Sequence, residues 1–203
     1  MSLLSAYTKL ESLGRVVTTA EAAAALRRST TSTSRMLRGL EEAGRVKRVR
    51  TGLWAIGSTD PDPYAVASEL TSPSPSYVSF LSALNFHGMI DQIPREVALS
   101  SLDRARRIKT SLGTFSVHHL PPELFGGWNE TPRGRVATPA KAIFDLCYVG
   151  VAGAGRSRRV PELELPDSFD RTEIDQWVRR IPSARLATLT RKAVDQTLAR
   201  ATR

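Results

Sequence analysis

The sequence predicts an α+β fold in two parts. An N-terminal winged helix-turn-helix precedes a mixed α/β domain whose last third is helical. Three observations predict it. Residues 1–57 carry three helical patterns, then a basic strand, a Thr-Gly turn and an apolar strand. The polar stretch Ser58–Pro63, with two prolines, marks a boundary. Beyond it, short alternating segments are interleaved with helical ones.

Leu3, Tyr7, Leu10 and Leu13 recur at helical spacing, and Gly14 stops that helix. Thr18 and Glu21 stand as a capping box, so a second helix runs from there through Ala22–Ala25 and Leu26 to Arg28. Ser29–Ser34 is almost all Ser/Thr, residues that favour caps over helix interiors. The third helix therefore starts at Thr30 or Thr31 and ends with Gly44 as its C′ residue. Thr33, Leu37, Leu40 and Ala43 form its inward stripe, and Thr31, Ser32, Arg35 and Arg38 lie away from it. Hydroxyls and free N–H groups at a helix start suit phosphates, and arginine can fork onto guanine O6/N7.

Arg45–Arg50 follows, then Thr51-Gly52, then Leu53–Ile56. Val46, Val49, Trp54 and Ile56 supply apolar anchoring, and Thr-Gly suits a tight hairpin turn. Lys47, Arg48, Arg50 and Thr51 then form a cationic wing able to lie along a phosphate backbone. A hairpin directly after a candidate recognition helix is the order of a winged helix. A plain edge hairpin guarded by Lys/Arg is the bland alternative.

Charge agrees with this placement. The net charge is +9 over 203 residues, and residues 1–57 hold ten Lys/Arg against four Asp/Glu. Local cationic excess raises polyanion affinity by counterion release. The single cysteine, Cys147, excludes an intrachain disulfide or a thiolate zinc cluster and suits the cytoplasm. No run of 18 apolar residues exists, and the acidic Glu11 with no basic leader argues against a signal peptide, so no membrane partner is expected.

The division expected is 1–57 as winged helix, 58–75 as linker and 76–203 as second domain. Pro63–Leu70 fits a short helix and Tyr77–His87 a longer one. Strands are expected over Glu96–Leu102, Thr110–Leu120 and Arg133–Thr138, three or four in all. Pro139 opens a helix through Val149, Gly150–Arg159 is a basic loop, and two helices close the chain, one from Asp170 or Thr172 and one capped by Ser183. Gly153-x-Gly155 lacks the third glycine and the strand-to-helix setting of a nucleotide motif.

No catalytic residues, metal ligands or cofactors are expected. Asp91, Glu96, Asp103 and Asp145 show no nuclease pattern, and His87, His118 and His119 show no ligand spacing. Lys141 and Asp145 stand at i,i+4, the spacing of a helix ion pair. A second cationic set, Arg104, Arg106, Arg107 and Lys109 with Arg133, Arg135, Arg156, Arg158 and Arg159, is a candidate partner surface, with scattered surface charge as the alternative.

Four segments carry a resemblance: Tyr77–Gly88, Asp91–Pro94, Arg106–Val117 and Val136–Leu146, the last resembling an Ala-Thr-x-x-Lys-Ala-x-x-Asp helix start. With the winged segment ending Gly44–Ala55, they resemble AbiEi-type antitoxins and transcriptional regulators of AbiE-like (type IV) toxin–antitoxin systems, of abortive infection. The resemblance implies a repressor that binds inverted repeats in its own promoter through the winged helix. It also implies a second domain that neutralises a nucleotidyltransferase-like toxin, directly or indirectly. A dimer on DNA is compatible with this, and no stretch of sequence marks its interface. The alternative is a ligand-responsive winged-helix regulator, which requires an enclosed apolar pocket in the second domain.

Overall fold

The computed structural model describes residues 3–153, 161–167 and 169–202. It is α+β, with eight α-helices and two sheets among the described residues. The first elements are α1 (Leu3–Glu11), β1 (Val16–Thr18), α2 (Thr19–Leu26), α3 (Thr30–Glu42), β2 (Val46–Arg50) and β3 (Leu53–Ile56). The caps explain the helix starts. Thr18 closes a reciprocal box with Glu21, whose carboxylate accepts the Thr18 N–H at 2.7 Å. The Ser29 hydroxyl accepts the Ser32 N–H at 3.2 Å.

Helix α3 buries Thr33, Met36, Leu37 and Leu40. Ala43, expected in that stripe, is exposed because it is the C-cap and the chain has already left the helical path; Met36 takes its place. In α1 the buried residues are Ala6 and Leu10. Leu3 and Leu13, expected on that face, are 52% and 45% exposed: one starts the helix and the other lies beyond its end. Strand β1 was hidden between the glycine stop and the capping box. Its three residues pair antiparallel with β3, giving the order β1-β3-β2.

Both faces of this small sheet are covered. Trp54 packs with Val17, Val46 and the helices, and its indole N–H donates to Thr19 Oγ1 at 2.9 Å. Leu53, Ala55 and Val49 instead belong to the larger core of residues beyond 58. The β2–β3 register steps between Arg48 and Arg50, leaving Val49 as a bulge.

The chain continues through α4 (Ala67–Thr71), β4 (Ser76–Val78), α5 (Phe80–Phe86), β5 (Val97–Ser101), β6 (Arg106–Thr110) and β7 (Gly113–His119). After a single 3-10 turn come β8 (Trp128–Thr131), β9 (Gly134–Ala137), α6 (Pro139–Ala152), α7 (Arg171–Arg179) and α8 (Ala184–Leu198). The six strands order as β6-β7-β5-β4-β9-β8, with β4–β9 and β5–β7 parallel and the other pairs antiparallel.

Several expectations change here. Residues 58–75 do more than connect, because Val66, Ala67 and Leu70 are buried in the larger core. The helix expected over Tyr77–His87 divides into β4 and α5, since Ser79 is extended and Phe80 takes a left-handed φ of 55°. The cationic run at Arg106 is itself a strand, and six strands replace the three or four expected. Residues 150–152, expected in a loop, extend α6, while residues 154–159 lie outside those described.

The larger core is organised on one carboxylate. Asp145 Oδ2 accepts hydrogen bonds from Tyr77 (2.9 Å), Ser79 (2.7 Å) and Ser100 (2.9 Å), and Oδ1 takes the Lys141 ammonium. Both charged side chains are fully buried. The Lys141 ammonium lies 4.5 Å from the Trp177 ring centroid and 4.8 Å from that of Phe144. Burial pushes the Lys141 pKa down, and the Asp145 charge opposes that shift. Gly127 makes room for this packing: with φ of 74°, a Cβ there would fall 2.8 Å from Trp177.

Asp145→Ala leaves Lys141 unpaired in the core, so it is expected to cost about 3–5 kcal/mol in urea unfolding. Burial pushes the Cys147 thiol up to about 11, so native protein is expected to leave DTNB unreacted at pH 8 and to react on denaturation. A fast native reaction would contradict this packing.

Candidate nucleic-acid interface

Burying one side of α3 aims the other at solvent. Thr31, Ser32, Arg35 and Arg38 are all exposed on it. Arg35 and Arg38 form no ion pair among the described residues; Arg38 Nε makes only a long contact to Ser34 O at 3.4 Å. The first turn adds free backbone N–H groups and the positive end of the helix dipole. Arg27 and Arg28, in the turn between α2 and α3, are also exposed. They were missed because they end a helical pattern; their place next to the Ser29 cap is the signal that marks them.

The hairpin divides its cations. Arg48 and Thr51 are exposed, and Arg48 Nη2 donates to Thr51 Oγ1 at 2.8 Å, bracing the tip. The Arg48 backbone N–H donates to Glu41 Oε1 at 3.0 Å, which ties the end of α3 to β2. Lys47 pairs with Asp60 at 2.5 Å, but both side chains are about half exposed. Such a surface pair is worth roughly 0–1 kcal/mol, so Lys47 stays accessible to a stronger anion.

Arg50 corrects the expected site. Its guanidinium turns toward the larger core and donates to the Leu70 carbonyl at 3.4 Å, with Nε buried. Odd and even positions of a strand point to opposite faces, and the bulge at Val49 puts Arg50 on the covered one. Arg50 is thus an internal tie rather than part of the exposed set.

The second cationic set does not form one free surface. Arg106 pairs with Asp103, whose carboxyl it holds below the usual range. Arg107 pairs with Glu96 at 2.8 Å, and Arg135 with Glu130 at 2.7 Å. Arg133 bonds Asp62 at 2.5 Å and stacks 4.4 Å from the Tyr64 ring centroid. Arg104 and Lys109 are exposed and without an ion pair among the described residues. Arg156, Arg158 and Arg159 lie outside those residues.

No group of three or more His, Cys, Asp or Glu able to hold a metal occurs among the described residues. No helix there is long and apolar enough to cross a membrane. No family model matches the chain, and no curated protein matches it either. The likeness to AbiEi-type antitoxins therefore rests on the segments quoted above.

Arg50→Ala removes the long bond to the Leu70 carbonyl and the packing of a half-buried side chain, offset by relief of the buried, unpartnered Nε, so it is expected to lower unfolding free energy by about 1 kcal/mol. Thr51→Ala, at the exposed tip, is expected to stay within about 0.5 kcal/mol of the parent. Equal stabilities by urea titration would contradict the inward placement of Arg50.

Proposed function

We propose that residues 1–57 form a winged helix-turn-helix that binds double-stranded DNA, with α3 as recognition helix and β2–β3 as wing. One observation carries this. The α3 face bearing Thr31, Ser32, Arg35 and Arg38 is exposed while the opposite face is packed, and a braced basic hairpin follows directly. In this reading the hydroxyls and backbone N–H groups of the first turn hold phosphates. Arg35 and Arg38 reach base edges in the major groove, and Lys47, Arg48 and Thr51 lie along the backbone.

On the resemblance, the protein is a cytoplasmic antitoxin and autorepressor. It binds inverted repeats in its own promoter and neutralises a nucleotidyltransferase-like toxin through residues 76–203, with no catalysis of its own. The burial of Asp145 and Lys141, with three hydroxyl donors on the carboxylate and aromatic rings around the ammonium, supports a structural role for this ionic pair. The ligand-responsive alternative needs an enclosed apolar pocket. A surface cleft of about 450 Å³ between Ile90–Gln92 and Pro161–Glu164 is open and includes Asp91, Gln92, Glu162 and Glu164 in its lining.

Arg35→Ala is expected to weaken binding to the protein's own upstream DNA by about 1–3 kcal/mol in a gel shift, and to relax specificity at one position. Binding by the parent no tighter than to unrelated DNA would overturn the operator assignment. Co-expression with a neighbouring nucleotidyltransferase-like reading frame is expected to restore growth that the neighbour alone arrests. No rescue would remove the antitoxin role while leaving DNA binding intact.

A further inference from the structure

The larger sheet presents a cationic edge beside the wing. β6 is an outer strand of the six-stranded sheet, and β2 is an outer strand of the three-stranded one. They meet at the β6–β7 turn, where the Ser111 N–H donates to the Val49 carbonyl at 3.0 Å. β2 has a free edge, so the Val49 carbonyl can accept from outside its own ladder. Val49 and Ile108 share the same buried core, so the turn is fastened by packing as well.

This contact fixes distances along both strands. Lys109 is two residues from Ser111, and Arg48 and Thr51 are one and two residues from Val49. At about 3.3 Å per extended residue, each lies within roughly 7 Å of chain from the shared hydrogen bond. Duplex DNA offers one phosphate charge per about 1.7 Å of axis, so a span of this size faces several phosphates. Lys109 is exposed and has no ion pair among the described residues. Arg107, on the same face of β6, is held by Glu96 only through a bridge whose arginine side chain is 66% exposed. Arg104 lies exposed just before the strand.

We propose that the β6–β7 hairpin is a second phosphate-contacting arm, with Lys109 and the Ser111 hydroxyl engaging the same duplex beside the wing residues Arg48 and Thr51. The proposal rests on the DNA-binding reading above. It makes the DNA footprint a property of both parts of the chain. It also gives the Ser111–Val49 contact a function: the wing is held at a fixed position against the arm instead of swinging free. A lysine kept on an edge strand only to prevent strand pairing would leave the salt dependence of DNA binding untouched.

The test uses the full-length protein and fluorescence anisotropy over a salt series, with labelled duplexes of its own upstream DNA and of unrelated sequence. Lys109→Ala is expected to flatten the slope of log K against log salt by about 0.9 for both duplexes alike, with affinity about fivefold weaker near 0.15 M. Lys109→Glu is expected to weaken both further. Lys192→Ala, an exposed lysine on α8, is the charge-matched control and is expected to leave the slope unchanged. An unchanged slope for Lys109→Ala, with Arg35→Ala still weakening specific binding, overturns the arm and spares the winged-helix reading. An equal effect of Lys192→Ala overturns it too, since the loss is then net charge alone. Absence of binding by the parent to either duplex overturns both readings.

Discussion

The burial of β3 on both faces is the constraint on which the rest depends. Leu53-Trp54-Ala55-Ile56 is a short apolar run with no polar alternation, as expected of a strand covered on two sides. Trp54 closes the small core under α1–α3, while Leu53 and Ala55 enter the large core with Val49, Leu70 and Ile108. A hairpin that served only as an exposed arm would leave its second face to solvent. Here that face is apolar and occupied, so the orientation of α3 is transmitted through a packed sheet to residues beyond 58. Arg50 to Leu70 and Ser111 to Val49 add direction to an otherwise non-directional apolar contact.

A second constraint acts inside the larger sheet. Asp145 collects donors from the β4–α5 region, from β5 and from its own helix, and Lys141 balances its charge. Apolar packing tolerates register slips of similar volume, whereas a buried carboxylate with several donors accepts one arrangement at low free energy. The aromatic rings of Tyr77, Phe144 and Trp177 around the ammonium and the close approach of Gly127 complete that arrangement. The Asp145–Lys141 pair thus ties the core together from within, while α3, the hairpin and the β6 edge carry cations directed to solvent.

The net charge of +9 conceals a division of labour among cations. Arg50, Arg106, Arg133 and Arg135 have carbonyl, carboxylate or ring partners within the fold. Arg35, Arg38, Arg48, Arg104 and Lys109 remain directed to solvent. Only the second group adds to a field that a polyanion meets, because paired charges nearly cancel beyond a Debye length of about 8–10 Å.

Local chemistry made much of the N-terminal part legible. The Thr18–Glu21 box, the Ser29 cap, Gly44 after α3 and the Thr51-Gly52 turn act through neighbours a few residues away, so spacing alone placed α2, α3, β2 and β3. The outward face of α3 followed from the same periodicity. Position along the chain could not place β1, β4 or β6, whose hydrogen bonds come from strands distant in sequence. Nor could it separate Arg50 from Arg48, because a bulge, not the sequence pattern, turns one guanidinium inward and leaves the other out. Helix ends and turns are decided by contacts within a few residues; sheet partners, buried ion pairs and which cation is free are decided by contacts across the fold, and those only the tertiary structure supplies.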